Sequence, residues 1–437
     1  MKHKLVLLLS FFSISSTFAA TYESISAPPG NSASWTFNSE SYSMDSYFWG
    51  ETTGGKNKYE NEFFVTYIRK TNVPASGCQG DIILIPSFGL NGGQYTISDP
   101  NDPDSEMTSL AEYLARNNWD VWLFSPRGTS LGSDRNGTVC ETQAGNPRCG
   151  FIADWGFDSF KSDIEFVRSQ IYSASSPLGR SACSSGGRLP IIGGLSMGGM
   201  LTIAIINSSP SSYDGAIIWD ATLYLGDPAD RAARQLECDT WNTKFADTND
   251  PNRYFGIENP AFSSTVETCR LWIENNPTGN PNSETSCQNV VTKLNDPDLP
   301  FCTNSGAGTL EYADLALVRE FTKISNRGPW NYYTPSPVMR DIVCTMAQPL
   351  ATNPYVNNLG SFTKPVLLMK EPNGIGANGI IDSLEALFTH TEPTHGETSP
   401  NYAHFDRLLH IPGAVTSHPA KTSQGTRDIL DWLQEVR

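Results

Sequence analysis

The stretch Arg188–Met200, RLPIIGGLSMGGM, places one serine between a strand-type run and an apolar helix. Leu189–Ile192 is the strand-type run, and Met200–Ile206 continues as a segment suited to a buried helix. Residues 194–198 fit the pattern G-x-S-x-G, which presents a serine hydroxyl on a sharp strand-to-helix turn. Glycines permit such a turn because side chains at these positions would collide with neighbouring backbone. The stretch predicts that Ser196 is a nucleophile; the alternative is an ordinary Gly/Ser loop.

The first 19 residues have the pattern of a secretory signal peptide. Lys2 and Lys4 precede an apolar run, Leu5–Phe12, and cleavage is expected after Ala19. The run is too short to span a bilayer, and no other stretch approaches the required length. We therefore expect a secreted or periplasmic protein without an integral membrane segment.

Composition narrows the classes of partner. The chain has 30 basic and 46 acidic residues, a formal net charge of -16 at pH 7. Such a charge argues against nucleic acid or an anionic membrane surface as a partner. It does not identify a substrate or an oligomeric state.

All nine cysteines follow the signal peptide, in a setting where disulfides form. Cys140 and Cys149 bracket a polar loop and are predicted to pair. Because nine is odd, at least one cysteine is free or pairs with another molecule. The sequence has no C-x-x-C or H-x-x-x-H spacing, so we expect no metal site.

Strands alternate with helices along much of the chain, which predicts a parallel sheet covered on both sides. The predicted strands are 61–70, 81–86, 119–125, 189–194, 215–220 and 364–370, and the helices outside the cap are 105–117, 158–171, 200–206 and 426–436. Residues 21–60 are predicted to form an irregular lead-in with short edge strands.

The alternation stops near Thr222 and resumes near Lys364, a gap too long for a connecting loop. Helices are predicted within it around 228–245, 262–274, 309–325 and 337–347. We predict four segments: a signal peptide (1–19), a first core part (20–222), a helical cap or lid (223–363) and a second core part (364–437).

Three segments in order, ILIPSFGLNGGQY (83–95), LAEYLARNNWDVWLFSPRGTSLG (110–132) and GGLSMGG (193–199), resemble the α/β-hydrolase superfamily. The pattern is most similar to the branch of monoacylglycerol lipases and serine aminopeptidases, over roughly residues 60–437 apart from the cap. The resemblance implies the α/β-hydrolase fold, a mostly parallel sheet flanked by helices, with a large helical cap inserted after the strand that ends at Asp220.

The same resemblance implies an oxyanion hole formed by the backbone N–H groups of Phe88 and Met197. Most relatives have His-Gly where this chain has Pro86-Ser87. The hole can survive this change because its donors are main-chain groups. The alternative is that Ser87–Gly93 is only a flexible turn.

The general base is expected near the C-terminus. The segment NYAHFDRL (401–408) resembles the H-x-D segment of lipases in this superfamily, which selects His404. The other histidines of this region are rivals by proximity alone: His390, His395, His410 and His418.

The acid is where the chain departs from the family pattern. It normally follows the strand KPVLLMK, where this chain has Glu371-Pro372-Asn373-Gly374-Ile375. Some members of the superfamily take the acid from the end of the strand after the nucleophile helix, where Asp220 stands here. We favour Asp220, whose alternative role is to anchor a loop. Glu371, Asn373 and Asp382 remain candidates, although Asp382 resembles a helix N-cap.

The resemblance also implies one disulfide. Cys78 and Cys183 precede strands that are neighbours in this fold, on the edge away from the active site, so they are expected to pair. Five cysteines then remain in the cap region, as two pairs and one odd thiol: Cys238, Cys269, Cys287, Cys302 and Cys344.

The predicted mechanism is acyl transfer, in which His404 deprotonates Ser196 and water hydrolyses the acyl-enzyme, without a cofactor. The first hypothesis is a secreted carboxylic-ester hydrolase, lipase- or esterase-like, that acts on a small-molecule ester. Cap aromatics would form a wall for its acyl chain: Trp241, Tyr254, Phe255, Phe262, Trp272, Trp330, Tyr332 and Tyr333.

Two other hypotheses remain open. A serine aminopeptidase of the same fold would pair the terminal ammonium of a short peptide with carboxylates near the cap, for which the candidates are Asp227, Asp230, Glu237 and Asp239. A non-catalytic binding protein of this fold would have lost its acid, as the departure at Asn373 and Gly374 allows.

Overall fold

A computed structural model describes most of the chain, apart from the first 19 residues and much of the segment 250–334. The described residues are 20–27, 31–98, 108–128, 147–173, 187–249, 335–372, 380–388, 406–409 and 422–436, with 178, 183, 253, 268, 269, 271, 272, 275, 276, 285, 317, 374, 375 and 402.

Nine strands of the described residues form one mixed sheet. They are β1 (Tyr22–Ile25), β2 (Ser32–Phe37), β3 (Glu40–Glu51), β4 (Glu62–Lys70), β5 (Gly80–Ile85), β6 (Trp119–Ser125), β7 (Ile191–Leu195), β8 (Gly215–Trp219) and β9 (Val366–Met369). The order is β1-β3-β4-β6-β5-β7-β8-β9, with β2 paired to β3. The run β6-β5-β7-β8-β9 is parallel, as predicted, and the pairs before it are antiparallel.

The described residues contain eight α-helices. They are α1 (Leu110–Arg116), α2 (Phe157–Tyr172), α3 (Met197–Ser208), α4 (Pro228–Ala246), α5 (Ser336–Met346), α6 (Ile380–Glu385), α7 (Asp406–Leu409) and α8 (Gln424–Glu435). Six of these eight fall close to their predicted positions; α6 and α7 were not among the predicted helices, and Asp382, expected as an N-cap, lies within α6. Helix α1 begins later than predicted because the Ser109 hydroxyl accepts the Glu112 N–H and caps the helix. Most of the helices predicted around 262–274 and 309–325 lie outside the described residues.

Successive residues of the central strands pack into two different hydrophobic cores. Ile83 and Ile85 of β5 join the core that contains α2 and α3. Ile82 and Leu84 join the core that contains α1 and α8. The sheet is therefore covered on both faces, which explains why its central strands are continuous apolar runs.

The prediction of an irregular lead-in was wrong for residues 40–51. Strand β3 has 12 residues and pairs with β1, β2 and β4. Its polar residues do not alternate regularly with apolar ones, so the sequence lacks the pattern that would predict a strand here. The strand ends on the buried Glu51, whose carboxylate accepts a 2.6 Å hydrogen bond from Arg127, two residues after β6.

Two disulfides lie within the described residues. The Cys78–Cys183 pair, with a Cα–Cα distance of 5.2 Å, confirms the pairing that the resemblance implies. Cys238–Cys344, at 4.7 Å, joins α4 to α5. Both fit an extracytoplasmic protein. The predicted Cys140–Cys149 pair falls outside the described side chains.

No described helix has the length and hydropathy needed to cross a bilayer.

Candidate active site

Ser196 occupies the turn between β7 and α3 in a backbone conformation that is costly for any residue with a side chain. Its φ is 60° and its ψ is -121°. Its N–H donates to the Trp219 carbonyl at 2.9 Å, and the residue is 3% exposed. The chain thus makes the strained strand-to-helix turn predicted from G-x-S-x-G.

The glycines of the motif are required by close packing on the end of β5. A Cβ on Gly194 would lie 2.3 Å from the Ile85 carbonyl oxygen, and one on Gly198 would lie 2.0 Å from the same atom. Either contact is far inside van der Waals range. The N-terminus of α3 therefore rests directly on the strand end from which residues 86–91 depart.

Residues 86–91, here called the oxyanion loop after the role that the resemblance implies for them, are tied to the turn. The Ser87 hydroxyl donates to the Leu195 carbonyl at 3.2 Å, and the Ser87 N–H donates to Gln94 Oε1 at 2.8 Å. Phe88 follows directly and is half-buried against the core of α3. Met197 is the first residue of α3, where an N–H has no acceptor within its own helix.

Asp220 follows β8 and lies beside the serine turn, because Leu195 and Trp219 are paired in register. Its carboxylate is fully buried and accepts the backbone N–H groups of Glu371 at 3.4 Å and Ile375 at 2.9 Å. It therefore points toward the loop after β9.

Gly374 belongs to the loop that holds Asp220. A Cβ at this position would lie 2.1 Å from Asp220 Oδ2. The backbone can wrap the carboxylate only because this residue has no side chain. The loop after β9, where the resemblance implies an acid, thus cradles a carboxylate that comes from the neighbouring strand.

The rival acids lie in different environments. Glu371 is fully buried, and its Oε1 accepts hydrogen bonds from Trp219 Nε1 at 3.0 Å and Arg407 Nε at 2.7 Å. Burial raises the pKa of Glu371 well above its usual value; Arg407 opposes this, and Asp220 adds to it. The Asp382 side chain is 64% exposed and pairs with a surface lysine, Lys370, 12 residues earlier.

Some predicted residues cannot be placed. His404 lies outside the described residues, as do Asn373 and the rival histidines: His390, His395, His410 and His418. Two neighbours of His404 are described. Tyr402 is buried, and Arg407 of α7 bridges Glu371 and Asp428 of α8, at 2.7 and 2.5 Å.

Most carboxylates proposed to bind an ammonium group are used within α4 itself. Asp227 caps the helix by accepting the Ala229 N–H, and Glu237 pairs with Arg234 at 2.5 Å. Asp239 accepts a hydrogen bond from Gln235 at 3.0 Å, and Asp230 is exposed.

Of the predicted cap aromatics, Trp241 and Trp272 are described. Trp241 is partly buried against the core that contains α2 and α3, and Trp272 against the core that contains α1 and α8. The others lie outside the described residues: Tyr254, Phe255, Phe262, Trp330, Tyr332 and Tyr333.

Within the described part of the chain, one group of side chains has the spacing of metal ligands: Cys78, Asp120 and Cys183. The two cysteines are already joined as a disulfide. The cysteines precede β5 and β7 and Asp120 is the second residue of β6, so the group lies at the end of the strands opposite Ser196.

No family model matches the chain, and no curated protein does. Among solved structures, a "putative lipase" from Sulfolobus solfataricus is similar over 91% of this chain and 95% of its own, with a TM-score of 0.52 and 15% identity. A thermophilic esterase from Thermogutta terrifontis is similar over 86% of this chain and 95% of its own, with a TM-score of 0.41 and 12% identity. A proline iminopeptidase from Mycobacterium smegmatis is similar over 92% of this chain and 98% of its own, with a TM-score of 0.40 and 12% identity.

The first of these similarities, together with the sheet order and the strand-turn-helix at Ser196, confirms the predicted fold class: the chain has the α/β-hydrolase fold.

Proposed function

We propose that this protein is an exported serine hydrolase that cleaves carboxylic esters through Ser196, His404 and Asp220. The observation that carries the proposal is the strained turn of Ser196 beside the fully buried carboxylate of Asp220. A strained backbone conformation of this kind lowers the stability of the fold, and such conformations cluster at functional sites.

Chain connectivity supports His404 as the base. Arg407 is anchored to Glu371, whose own N–H contacts the Asp220 carboxylate. His404 stands three residues before Arg407, a stretch of chain that spans at most about 10 Å, and this spacing is compatible with its proposed role as the base. A histidine bridging Asp220 and Ser196 completes a triad in the chain order serine, acid, histidine.

In the proposed reaction, His404 takes the Ser196 proton as the oxygen attacks the ester carbonyl. The N–H groups of Phe88 and Met197 hold the oxyanion of the tetrahedral intermediate. Asp220 accepts the other imidazole N–H, which fixes the tautomer and stabilises the imidazolium. His404 then protonates the leaving alcohol, and water hydrolyses the acyl-enzyme. The scheme uses no cofactor.

Asp220 suits the acid role better than Glu371. Glu371 Oε1 accepts hydrogen bonds from the Trp219 and Arg407 side chains, so this carboxylate is already paired with the Arg407 cation, whereas Asp220 accepts backbone N–H groups. Burial also raises the pKa of Glu371, which disfavours the charge that an acid must supply. We assign Glu371 to anchoring the segment that carries the base.

The proposed cap, residues 223–363, is inserted between β8 and β9, and its described helices α4 and α5 are joined by Cys238–Cys344. The disulfide ties α4 to α5, whose residues Val338 and Ile342 pack into the core that contains α2 and α3, and this supports a cap that is fixed to the core on that side. Residues 1–19 are proposed to direct export, which the disulfides support.

Ester specificity is tested with matched chromogenic substrates. We expect hydrolysis of p-nitrophenyl esters and at least about 100-fold slower cleavage of aminoacyl p-nitroanilides, because the α4 carboxylates are mostly occupied. The measurement is kcat/KM for each class, with chains of two to sixteen carbons on the ester.

Faster cleavage of the anilides would overturn the ester assignment in favour of an aminopeptidase. Failure to turn over either class, in a folded preparation, would favour the non-catalytic binding protein.

A further inference from the structure

The Tyr95 hydroxyl lies between the last residues of β5 and β7, the strands that lead into the oxyanion loop and Ser196. It donates to the Ile85 carbonyl at 2.7 Å and accepts the Leu195 N–H at 3.0 Å. The side chain is 1% exposed, so water does not compete for either bond. One phenol oxygen thus joins the residue before the loop to the residue before the nucleophile.

Direct pairing of the two strands ends just before this point. Their last registered pair is Ile85 with Gly194. Beyond it, one strand turns into the oxyanion loop and the other into the serine turn. Buried backbone groups need partners, and a hydroxyl can donate and accept at once. Tyr95 therefore sets the spacing of the two strand ends where backbone pairing no longer does.

A second tie acts on the same loop. Gln94, adjacent to Tyr95 in a 3-10 helix (Gly92–Thr96), accepts the Ser87 N–H, while the Ser87 hydroxyl reaches the Leu195 carbonyl. Because the Ser87 N–H is already bonded, these contacts agree with Phe88 as the oxyanion donor. Leu195 takes part in both contacts: its N–H donates to the Tyr95 hydroxyl, and its carbonyl accepts from the Ser87 hydroxyl.

We infer that Tyr95 is a positioning residue of the proposed reaction, whose hydroxyl holds the Phe88 and Met197 N–H groups at the spacing that a tetrahedral oxyanion requires. The inference rests on the proposed function. Oxyanion donors act only when they lie within about 3 Å of the position that the oxyanion takes. Small displacements of the loop would weaken transition-state binding and leave ground-state binding intact.

The test is Tyr95→Phe in the exported protein, which removes both hydrogen bonds and little volume. We expect kcat for a p-nitrophenyl ester to fall about 10- to 100-fold with KM changed by less than about twofold. Affinity for an alkylboronic acid, which forms a tetrahedral adduct with the serine, should fall by a similar factor.

The matched control is Tyr42→Phe. Tyr42 is also fully buried, and its hydroxyl donates to Glu40 on β3, which three strands separate from β7. We expect its kcat to stay within about twofold of the original, so that loss of a buried tyrosine hydroxyl alone does not explain the effect.

A folded Tyr95→Phe protein with kcat and boronic-acid affinity within about twofold of the original would overturn the inference, as would a change confined to KM. If that variant does not fold, Ser87→Ala tests the second contact, between the Ser87 hydroxyl and the Leu195 carbonyl. We expect its kcat to fall about three- to tenfold. An unchanged kcat would contradict the inference. Failure of the proposed function is distinct: the unmodified protein would then bind no boronic acid and turn over no ester.

Discussion

Replacement of Ser196 by alanine is expected to lower kcat/KM for ester hydrolysis at least about 10⁴-fold, because removing a nucleophile leaves only binding and oxyanion stabilisation. The melting temperature should change little, since alanine keeps the Cβ and the backbone strain. Ester turnover and thermal unfolding of the same preparation measure both.

A second substitution at this position separates strain from chemistry. Ser196→Gly should be equally inactive yet more stable by about 1 kcal/mol, because glycine adopts a φ of 60° without the cost borne by serine. The matched control is Ser208→Ala at the exposed end of α3, whose hydroxyl donates to the Ala204 and Ile205 carbonyls of its own helix. Its activity should equal that of the original. Retention of most activity by Ser196→Ala would contradict the nucleophile assignment.

The second large effect is expected at Asp220. Asp220→Asn keeps the shape of the side chain and removes its charge, so the imidazolium is no longer stabilised and the tautomer is no longer fixed. We expect kcat to fall about 10³- to 10⁴-fold. The measurement is steady-state kinetics of ester hydrolysis.

The controls are the two rival carboxylates that the structure describes. Asp382→Asn should leave kcat within about twofold, because this side chain is largely exposed. Glu371→Gln should reduce stability more than kcat, because the Gln amide oxygen can keep the bonds from Trp219 and Arg407 but leaves Arg407 with less negative charge nearby. If Glu371→Gln abolished turnover and Asp220→Asn did not, Glu371 would replace Asp220 as the acid.

Local signals predicted the parallel half of the sheet well. Strand β6 has the predicted bounds, Trp119–Ser125, because five of its seven residues are large and apolar and polar segments flank it. The serine turn was also predictable, since glycine spacing and flanking apolar runs are both local. The Cys78–Cys183 pair followed from the resemblance and not from the cysteines themselves.

The parts that the sequence did not reveal depend on contacts between distant residues. Strand β3 is stabilised by three partner strands and ends on Glu51, whose partner Arg127 lies 76 residues away. Nothing local marks Glu51 as buried.

The choice of acid depends on distant contacts as well. Asp220 accepts N–H groups from residues 371 and 375, about 150 positions further along the chain. The sequence left four candidates open because that loop is assembled only in the folded protein.

Tyr95 and Arg407 were overlooked although both stand in the segments that carry the resemblance. Tyr95 ends ILIPSFGLNGGQY, and Arg407 lies three residues after His404. An arginine or tyrosine in a loop is usually a surface residue, so only burial and partners identify these two. Both connect pieces of the site that are far apart in the chain.

The most direct measurement is labelling of the folded protein with a fluorophosphonate, followed by peptide mapping, because only an activated serine reacts quickly with such a reagent. We predict one adduct per chain, on Ser196, formed rapidly in the original protein and at least about 100-fold more slowly in Asp220→Asn. Absence of labelling in a folded preparation, or an adduct on another serine, would contradict the proposal that Ser196 is an activated nucleophile.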